Sequence, residues 1–526
     1  MNEVVIIGAG VAGINAATKL VDNKFKGKIT IIDMGKNPYE RLSEEVMTGF
    51  LGAGGWSDGK LTYHTSIGGQ LSKYCGEKKA MELFDQVIEN FKRFHPKPEV
   101  IQCSDPQEET DFIKPHFGLR LFPVWHIGTD YLHQIGKNWY DYLVDNRVEF
   151  LWETKVTDID FKNQRVFTNT SYTGGYYQYN NLIFGVGKSG IDFGKKLAEK
   201  YNLPTEPKAV QIGVRFEAPQ EHFQKLIDIS YDFKLYRKFE DKGVSLRSFC
   251  TNNNAAFVAA EHTYGDISYN GHAKKDEAYR NDMTNFGILM EIQGIDEPFV
   301  WSREVVQKLQ IKGKGLYYSP SHRVPSKTSE GNYVSCEVVN NIDLLHKAIG
   351  NYSFYIEDFI DAMKIIFPTL RDDWGIYMPE VKYLSPEPLV NYKDLSLTKF
   401  PNIHFVGDAL SARGITVSGA HGIYVAESLI KPKKRMKKQK VYEYKRIKSE
   451  GAYHHLIREN SEDSWKHHNG DGPAIEPVDD NNRKIKKQYY LFGISYTSEA
   501  FKEYKQEQEG LPWYKQSAPK GITYRN

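Results

Sequence analysis

The feature that most constrains this chain is a glycine pattern set between two short apolar runs near its beginning. Residues 4–7 are apolar and lead directly into Gly8-x-Gly10-x-x-Gly13; a helical pattern follows, and residues 29–32 form the second apolar run. This order predicts a strand, a helix and a parallel strand. The first glycine makes the tight turn, the second lets a pyrophosphate approach the backbone, and the third lets the helix pack on the strand. The pattern therefore predicts a dinucleotide-binding α/β domain.

Asp33 follows the second apolar run and completes the dinucleotide pattern, because a carboxylate there accepts hydrogen bonds from ribose hydroxyls. Two later features favour FAD over NAD as the dinucleotide. Residues 148–185 are short β-type runs broken by turn residues, which predicts an antiparallel meander. Gly407-Asp408 ends a late buried strand, and Asp408 is placed to bind a ribityl chain. A helix predicted to begin near Ser418 would turn its positive end towards the flavin.

Composition and charge limit the classes of protein that fit. The chain has 526 residues, of which 40% are hydrophobic and 26% charged, as in a soluble protein of two or three domains. The formal net charge of +2 gives no global field for nucleic acid or membrane binding. No apolar run approaches the roughly 20 residues of a membrane span, and the first predicted strand leaves no room for a cleavable signal. We therefore expect no membrane partner and a cytoplasmic protein, in the host cytoplasm if the chain is viral.

The cysteines exclude one familiar flavoprotein chemistry. Cys75, Cys103, Cys250 and Cys336 lie far apart and form no CxxC or CxxxxC pair. This argues against a dithiol–disulfide reductase and against a sequence-local zinc site. No Ser-His-Asp arrangement or metal-spaced set of carboxylates is present either. We expect no metal, and chemistry that belongs to the flavin.

Several segments resemble one family of flavoproteins. Residues 52–61, Gly-Ala-Gly-Gly-Trp-Ser-Asp-Gly-Lys-Leu, are similar to the GGAGxxSDGKL segment of FAD-dependent dehydrogenases, often labelled NAD(FAD)-utilising dehydrogenases. Residues 184–190 resemble the A-x-G-R-S-G of that family, with Lys188 in place of arginine. Other similar segments follow in the family's order: 212–215, 247–250, 379–380 and 407–415. The resemblance, over roughly residues 1–430, implies FAD, a glutathione-reductase-like fold and a mid-chain substrate domain, but no single reaction.

The predicted fold class is α/β, with four parts along the chain. The FAD-binding domain combines a strand–helix–strand unit with a meander, and a mixed α+β substrate domain is inserted into it. A basic linker and a small C-terminal module follow. The predicted boundaries are 1–205 with 395–430 for the FAD-binding domain, 206–394 for the substrate domain, 431–445 for the linker and 446–526 for the module.

A second glycine pattern, Gly185-x-Gly187-x-x-Gly190, admits two interpretations. It is either a separate NAD(P)H site or the point where the last meander strand of the FAD domain meets the cofactor. No well-placed acid follows it by about 20 residues, as a separate site would need. We therefore favour the second interpretation, and NAD(P)H, if it is used, docks transiently as a co-substrate.

The candidate site residues are weighed against plain structural roles. Lys60 either contacts flavin N5 or is a solvated loop lysine, and Ser57 and Asp58 share its glycine-rich loop. Arg215 alternates with apolar residues on a predicted strand, where it either clamps a substrate carboxylate or phosphate or has only structural partners. Arg413 follows Gly407-Asp408 and faces the flavin or substrate, or caps a loop. The residues predicted to be catalytic are Lys60, Arg215 and Arg413.

The predicted cofactor contacts come from the glycine turns and the loops beside them. They are Gly8, Gly10, Val11, Ala12, Gly13, Asp33, Gly54, Gly55, Ser57, Asp58, Lys60, Gly185, Gly187, Gly407, Asp408 and Ile415. Three more residues are weaker candidates. Cys250 is interpreted as a core cysteine rather than a flavin-adjacent thiol, His404 as buried and structural, and His272 as a loop residue able to donate a proton.

The part of the chain after residue 430 is polar and tyrosine-rich. Residues 431–440 carry seven Lys or Arg, which either bind nucleic acid or form a solvated linker. Residues 469–476, with Trp465 before them, and residues 487–499 resemble the D-G-P-A-I-E and W-Y-L-N-G repeats of large-phage proteins. Such repeats imply short β-hairpins and a viral origin.

The function predicted from these features is that of an FAD-dependent oxidoreductase. Hydride passes from a carbon atom of an unknown organic substrate to flavin N5, and oxygen or another acceptor reoxidises the flavin. An alternative is a phage oxidase or lyase acting on amino-acid-modified thymidine during DNA hypermodification, with a modified nucleobase as substrate. A third is a non-enzymatic scaffold that retains the flavin.

Overall fold

The computed structural model describes most of the chain up to residue 430 and short strands beyond it. The described residues are 2–42, 45–106, 111–170, 175–206, 208–383 and 386–430, with the strands Glu443–Ser449, Ala452–Arg458, Lys466–His467, Ile475–Pro477, Tyr489–Leu491 and Ile494–Tyr496. The chain divides into two compact units, Met1–Pro432 and Lys433–Asn526. The predicted basic run 431–440 lies outside the described residues, as do Trp465 and residues 469–474 of the predicted module.

The first unit contains a five-stranded parallel sheet, named the parallel sheet. Its strands lie in the order Ile403–Phe405, Asn181–Phe184, Asn2–Ile7, Gly27–Ile32 and Glu149–Leu151. The apolar runs 4–7 and 29–32 form adjacent strands of this sheet. Both runs are buried because a parallel sheet is covered on both faces. The helix Val11–Asp22 joins them. The predicted strand–helix–strand unit is therefore confirmed.

Helices cover the parallel sheet. Glu77–Phe94 buries a face spaced by three and four residues, formed by Ala80, Leu83, Phe84, Val87, Ile88, Phe91 and Phe94. Ile415–Ile430 crosses Val11–Asp22 closely, because a Cβ on Gly422 would lie only 2.0 Å from the carbonyl oxygen of Ala12. The other helices of this region are Gly54–Ser57, Leu71–Cys75, Leu132–Asp145 and Ile191–Lys200.

The meander is shorter than the predicted range of residues 148–185. Val156–Asp160, Arg165–Thr168 and Tyr177–Gln178 form an antiparallel three-stranded sheet, as expected of a meander. Glu149–Leu151 and Asn181–Phe184 instead pair in parallel with strands of the parallel sheet. The prediction was wrong for these two runs because short apolar runs look alike in both kinds of sheet.

The middle of the chain forms an eight-stranded sheet, named the large sheet. Its order is Glu337–Val339, Leu316–Tyr318, Gly375–Lys382, Val210–Pro219, Met283–Ile292, Val244–Asn254, Lys234–Phe239 and Gly118–Arg120. Neighbouring strands are antiparallel except for the first pair. The hairpin of Ala256–Thr263 and Asp266–Ala273 lies against it. The helices of this region are Gln224–Ile229, Pro298–Lys308, Asp343–Ile349 and Ser353–Ile366.

Two small sheets complete the first unit. Val124–His126 pairs with Lys60–Thr62 and Gln102–Ser104, and Thr205–Glu206 pairs with Glu387–Pro388. In the second unit, Ala452–Arg458 pairs with the strands Glu443–Ser449, Lys466–His467 and Ile475–Pro477, and Tyr489–Leu491 pairs with Ile494–Tyr496. Within the described part of the chain, no helix combines the length and the apolar character needed to cross a membrane.

Candidate functional site

One large cavity, named the central cavity, lies at the carboxyl ends of the parallel strands. The loops after Asn2–Ile7, Gly27–Ile32, Asn181–Phe184 and Ile403–Phe405 all contribute to its lining. The space between the lining atoms is about 1620 Å³, part of it open to solvent. A crevice at the carboxyl ends of parallel strands is the usual place for a ligand in an open α/β sheet.

The first glycine pattern forms one side of this cavity through its backbone. Gly8 has a φ of +100°, and a Cβ there would lie 2.2 Å from the carbonyl oxygen of Gly185. A Cβ on Gly13 would lie 2.1 Å from the carbonyl oxygen of Gly8, so Gly13 acts in packing, outside the cavity lining. A Cβ on Gly10 would meet nothing closer than 3.9 Å. The lining residues here are Gly8, Gly10, Val11 and Ala12.

The second glycine pattern and the late Gly-Asp pair face the same cavity. Gly185 and Gly187 line it, and Gly187 has a φ of +60° with no protein atom within 4 Å of its Cβ position. Gly407 and Asp408 line it from the strand Ile403–Phe405. Together with the first pattern, these turns form one glycine cradle. Within the described residues, the second pattern thus belongs to the same site as the first.

Asp33 lies in the lining of the central cavity and also holds three backbone amides. Its Oδ2 accepts a hydrogen bond from the amide of Ala9 at 2.8 Å, and its Oδ1 accepts from Gly35 at 2.7 Å and Gly49 at 2.9 Å. A carboxylate oxygen has two acceptor sites, so Oδ2 keeps capacity for a ribose hydroxyl. Asp33 thus joins the first turn to the loop after the second strand.

Arg41 holds that loop in place and was missed in the sequence. It is buried, and its guanidinium donates to the carbonyl oxygens of Glu45, Val46, Phe50 and Gly52. Burial lowers its pKa to about 9, although the Asp33 carboxylate opposes this shift. A lone arginine in a loop carries no local signal of this role, because its partners are carbonyl groups.

The glycine-rich loop 52–58 continues the wall of the cavity. Gly54, Ser57 and Asp58 line it, and the Ser57 hydroxyl donates to the carbonyl oxygen of Ala53 at 2.9 Å. Burial raises the pKa of Asp58. Gly55 lies behind the lining, where a Cβ would come within 2.9 Å of Leu51.

The start of the helix Ile415–Ile430 also faces the cavity. Ile415 and Ser418 line it, with Arg413 in the turn before them. The Nη2 of Arg413 donates to the carbonyl oxygen of Tyr383 at 2.8 Å, while its buried Nε has no hydrogen-bond partner among the described residues. Burial lowers the pKa of Arg413 to about 10, and Asp408 opposes this shift. An acceptor on a ligand would satisfy Nε.

Lys60 lies behind the lining of the central cavity, and it contacts one lining residue, Cys250. Its ammonium is buried and donates to the carbonyl oxygen of Thr251 at 2.7 Å and to Cys250 Sγ at 3.1 Å. Burial acts to lower the pKa of Lys60, but Cys250, Asp232 and Asp58 together raise it above its usual value. Lys60 is therefore a buried cation rather than a solvated loop residue.

Arg215 also lies outside the cavity lining, in the interior of the large sheet. It is fully buried, and its Nη1 lies 3.3 Å from Glu380 Oε2. The guanidinium donates to Asn285 Oδ1 at 2.8 and 3.0 Å and to the carbonyl oxygen of Cys250 at 2.8 Å. The structure therefore gives it the structural partners that were the alternative to a substrate clamp. By binding the carbonyl oxygen of Cys250, Arg215 fixes the position of a residue that lines the central cavity.

Cys250 lies in the lining of the central cavity, at a break in the strand pairing of the large sheet. It has a φ of +51°, at an irregularity between Phe249 and Asn252 in the pairing with Met283–Ile292. The residue is buried, as the core interpretation expected, yet it lines the central cavity. A left-handed conformation at a non-glycine residue is rare and is found preferentially at functional sites.

The side of the cavity formed by the large sheet and its hairpin, named the polar wall, is rich in polar side chains. Its lining residues are Gln211, Phe249, Cys250, Glu261, Asn270 and Lys382. Of these six residues, only Cys250 is a site candidate on the basis of the sequence. The available signal was the presence of charged residues within strands that are otherwise apolar, such as Glu380 and Lys382 in Gly375–Lys382.

The two histidine candidates lie on strands. His272 is part of Asp266–Ala273 rather than a loop, and burial lowers its pKa to about 4, so it is neutral near pH 7. His404 is buried, as expected, with Nδ1 2.8 Å from the carbonyl oxygen of Asp394. Within the described ranges, no group of three or more His, Cys, Asp or Glu side chains is arranged to hold a metal ion.

The residues of the central cavity fit FAD. Gly10 and Gly187 leave open the positions that a side chain would fill. The first amides of the helix Val11–Asp22 have no intrahelical acceptor and suit a pyrophosphate. The unpartnered Nε of Arg413 adds a donor at the other end of the cradle.

Comparisons with known proteins agree with a nucleotide-binding fold in this region. Residues 2–211 match the family model described as pyridine nucleotide-disulphide oxidoreductase. No curated protein matches the chain. Among solved structures, the chain is similar to a flavoprotein/dehydrogenase from Cytophaga hutchinsonii, with 13% identity over 82% of this chain and 79% of that chain and a TM-score of 0.34.

Two other solved structures are similar to the same degree. The L-proline dehydrogenase from P. horikoshii has 9% identity over 81% of this chain and 93% of that chain, with a TM-score of 0.37. The halogenase PltM in complex with phloroglucinol and FAD has 10% identity over 82% of this chain and 68% of that chain, also with a TM-score of 0.37.

The family match covers the strand–helix–strand unit, the meander and the second glycine turn. The match thus includes two of the turns of the glycine cradle, whereas the Gly407-Asp408 turn lies outside the matched residues. The match and the cradle lead to the same conclusion: the protein is an FAD-dependent oxidoreductase, and FAD is its cofactor.

Proposed function

We propose that the protein oxidises a small polar organic substrate at a carbon atom, with the hydride passing to flavin N5. The observation that carries this proposal is that two unlike walls enclose one cavity. The glycine cradle offers backbone amides, whereas the polar wall offers a carboxylate, an ammonium, two amides and a thiol. The cradle is suited to a dinucleotide, and the polar wall to a second, smaller polar molecule.

The cradle residues have distinct roles in holding the cofactor. Gly8, Gly10 and the start of Val11–Asp22 would hold the pyrophosphate, and Asp33 the adenosine ribose. Asp408 would bind the ribityl chain. The first turn of Ile415–Ile430 would stabilise negative charge at the pyrimidine edge of the ring. When bound, FAD supplies a two-electron acceptor at N5.

The polar wall would bind and orient the substrate. Phe249 and Cys250 offer apolar and thiol surface, whereas Glu261, Asn270 and Lys382 offer charge and hydrogen bonds. Arg215 and Lys60 would act from behind this wall. They fix the Phe249–Cys250 segment through the carbonyl oxygen of Cys250 and its sulphur. Their role is therefore to position the wall rather than to contact substrate.

The experiment has two steps, the first of which is to identify the cofactor. The purified full chain should carry a yellow chromophore that denaturation releases as FAD. In the Gly10→Val variant, a side chain would enter the cavity where no protein atom lies closer than 3.9 Å. We expect this variant to fold and to lose FAD. Gly175→Val is the matched control, because nothing lies within 4 Å of its Cβ position and it is outside the cavity lining.

The second step identifies the source of electrons. The holoprotein is mixed without oxygen with NADH or NADPH, and the flavin absorbance is followed. Persistent colour is expected, because the electrons come from the organic substrate. Rapid bleaching would contradict this and make a nicotinamide the donor, which would dock transiently since the second glycine pattern belongs to the cradle.

A further inference from the structure

The polar wall contains an ammonium that has no hydrogen-bond partner within the described part of the chain. Lys382 is 6% exposed and lines the central cavity. Its nearest acceptor is Glu380 Oε1 at 3.4 Å, and Phe249 lies beneath it with a ring centroid 4.8 Å from Nζ. Burial and the charge of Lys188 lower its pKa, although Glu380 and Glu261 oppose this shift. An ammonium has three donors, so this side chain can accept an anionic partner from the cavity.

The carboxylate of Glu261, in the same wall, has a hydrogen-bond partner on only one of its two oxygens within the described residues. Asn270 Nδ2 donates to Glu261 Oε1 at 2.9 Å, which fixes the orientation of the group. Oε2 has no hydrogen bond within the described residues. Burial acts to raise the pKa of Glu261, but Lys188 and Lys382 lower it below its usual value. Glu261 is therefore ionised near neutral pH and can accept from a cationic group.

These two charges influence each other but do not form a direct pair. In the described part of the chain, no ion pair within 4.0 Å joins Glu261 to Lys382 or to Lys188. Lys382 has an ion-pair partner in Glu380 Oε1 at 3.4 Å, whereas Glu261 has none among the described residues. A buried charge with few partners is costly, and a ligand that supplies a further partner recovers part of that cost. A ligand carrying both a negative and a positive group would satisfy both side chains at once.

We propose that the polar wall binds a small zwitterion of the amino-acid type, with its carboxylate on Lys382 and its ammonium on Glu261. This inference rests on the proposed function, since it names the class of substrate that the flavin site takes. Lys188, in the second glycine turn, lines the same cavity and acts electrostatically on both Glu261 and Lys382. Asn270 holds Glu261 for the ammonium.

A site with these two charges should discriminate between ligands of the same size by their charge. A carboxylic acid of the same size would leave Glu261 without a cationic partner, and an amine would leave Lys382 with no anion beyond its 3.4 Å ion pair to Glu380. An unpaired buried charge is penalised more than a neutral group. We therefore expect the zwitterion to bind at least about tenfold more tightly than either single-charge analogue.

The test is a titration of the oxidised holoprotein, followed by the absorbance change of the bound flavin. The probes are the common L-amino acids and their D-forms, each with its matched acid and amine, such as alanine with propionate and ethylamine. The expected result is a saturable change with at least one amino acid at millimolar concentrations and a weaker response to its two analogues. No response to any amino acid, or equal binding of the matched acid, overturns the proposal.

Variants assign the two charges separately. Lys382→Met should abolish the preference for the carboxylate, whereas Lys382→Arg should retain it in part. Glu261→Gln should abolish the preference for the ammonium. FAD content and circular dichroism are measured on each variant. If the protein without substitutions is purified with no bound FAD, the proposed function itself is contradicted. If it holds FAD but binds no amino acid, only the zwitterion site is contradicted.

Discussion

The two walls of the central cavity are built in opposite ways. The glycine cradle consists of turns at the ends of neighbouring parallel strands, and its contacts come mainly from the backbone. The polar wall consists of side chains from strands of the large sheet and its hairpin, at positions 211, 250, 261, 270 and 382. The cradle needs the absence of side chains, whereas the polar wall needs particular side chains in a particular register.

The difference is visible in the glycines of the two regions. In the cradle, Gly10 and Gly187 leave space for a ligand. In the large sheet and its hairpin, glycines leave space for other side chains: a Cβ on Gly271 of the hairpin would lie 1.8 Å from Arg215 Nη2, and one on Gly287 of the large sheet would lie 2.5 Å from Glu380 Oε2. Glycine therefore serves the cofactor in one wall and a buried ion pair in the other.

The largest effect is expected from breaking that buried ion pair. Glu380→Ala leaves the Arg215 guanidinium fully buried without its carboxylate. The free energy of unfolding should fall by about 3–5 kcal/mol, because an uncompensated buried charge remains. Chemical denaturation of the holoprotein measures this loss. Glu380→Gln keeps an acceptor and should lose less, and a loss below about 1 kcal/mol in the alanine variant would show that the pair does not hold the polar wall.

A smaller effect, of a different kind, is expected in the cradle. Gly8→Ala places a Cβ 2.2 Å from the carbonyl oxygen of Gly185 at a φ of +100°. We expect the unfolding free energy of the apoprotein to fall by about 1–3 kcal/mol from strain and overpacking, with weaker FAD binding because the two turns separate. The measurements are denaturation of the apoprotein and titration with FAD.

Gly187→Ala is the matched control for this prediction. It also has positive φ, at +60°, but no protein atom lies within 4 Å of its Cβ position. It should lose only about 1 kcal/mol, which is the cost of a left-handed non-glycine residue. If the two variants lose the same amount, the contact between Gly8 and Gly185 does not hold the cradle together.

The same contrast explains how much the sequence could predict. The cradle is encoded locally: Gly8-x-Gly10-x-x-Gly13 adjoins its strand and its helix, so the turn could be predicted without knowing the rest of the fold. The second glycine pattern could be placed beside it because a strand leads directly into it. The helices Glu77–Phe94 and Ser353–Ile366 are encoded locally as well, because their buried residues recur at intervals of three and four.

The polar wall could not be predicted in this way. Lys382 and Glu261 are 121 positions apart, and only the pairing of the hairpin and the large sheet brings both to the cavity. Arg215 was predicted to lie on a strand, yet its buried partner Glu380 comes from another strand of the large sheet. A single sequence does not specify the register between distant strands.

The last expected effect is absent at neutral pH and appears only in acid, where it tests whether the two regions unfold as one unit. His421, in the helix Ile415–Ile430, is 1% exposed, and neither ring nitrogen has a hydrogen-bond partner in the described part of the chain. Burial lowers its pKa to about 4, and Glu387 opposes this shift. In the unfolded chain, a histidine titrates near 6.5. Its contribution to stability is therefore present above about pH 6.5 and is lost as the pH falls towards 4, because only the unfolded chain takes up the proton.

The expected loss is about 2 kcal/mol between pH 6.5 and 4.5, and His421→Leu should reduce the pH dependence by that amount. His272, whose pKa burial likewise lowers to about 4, is the counterpart beside the large sheet. Denaturation of both leucine variants across this pH range should give similar reductions if the two regions unfold together. A reduction in His421→Leu alone would mean that acid unfolds the cradle region first, since only groups in the part that unfolds contribute to the transition. The two walls would then differ in stability as well as in construction.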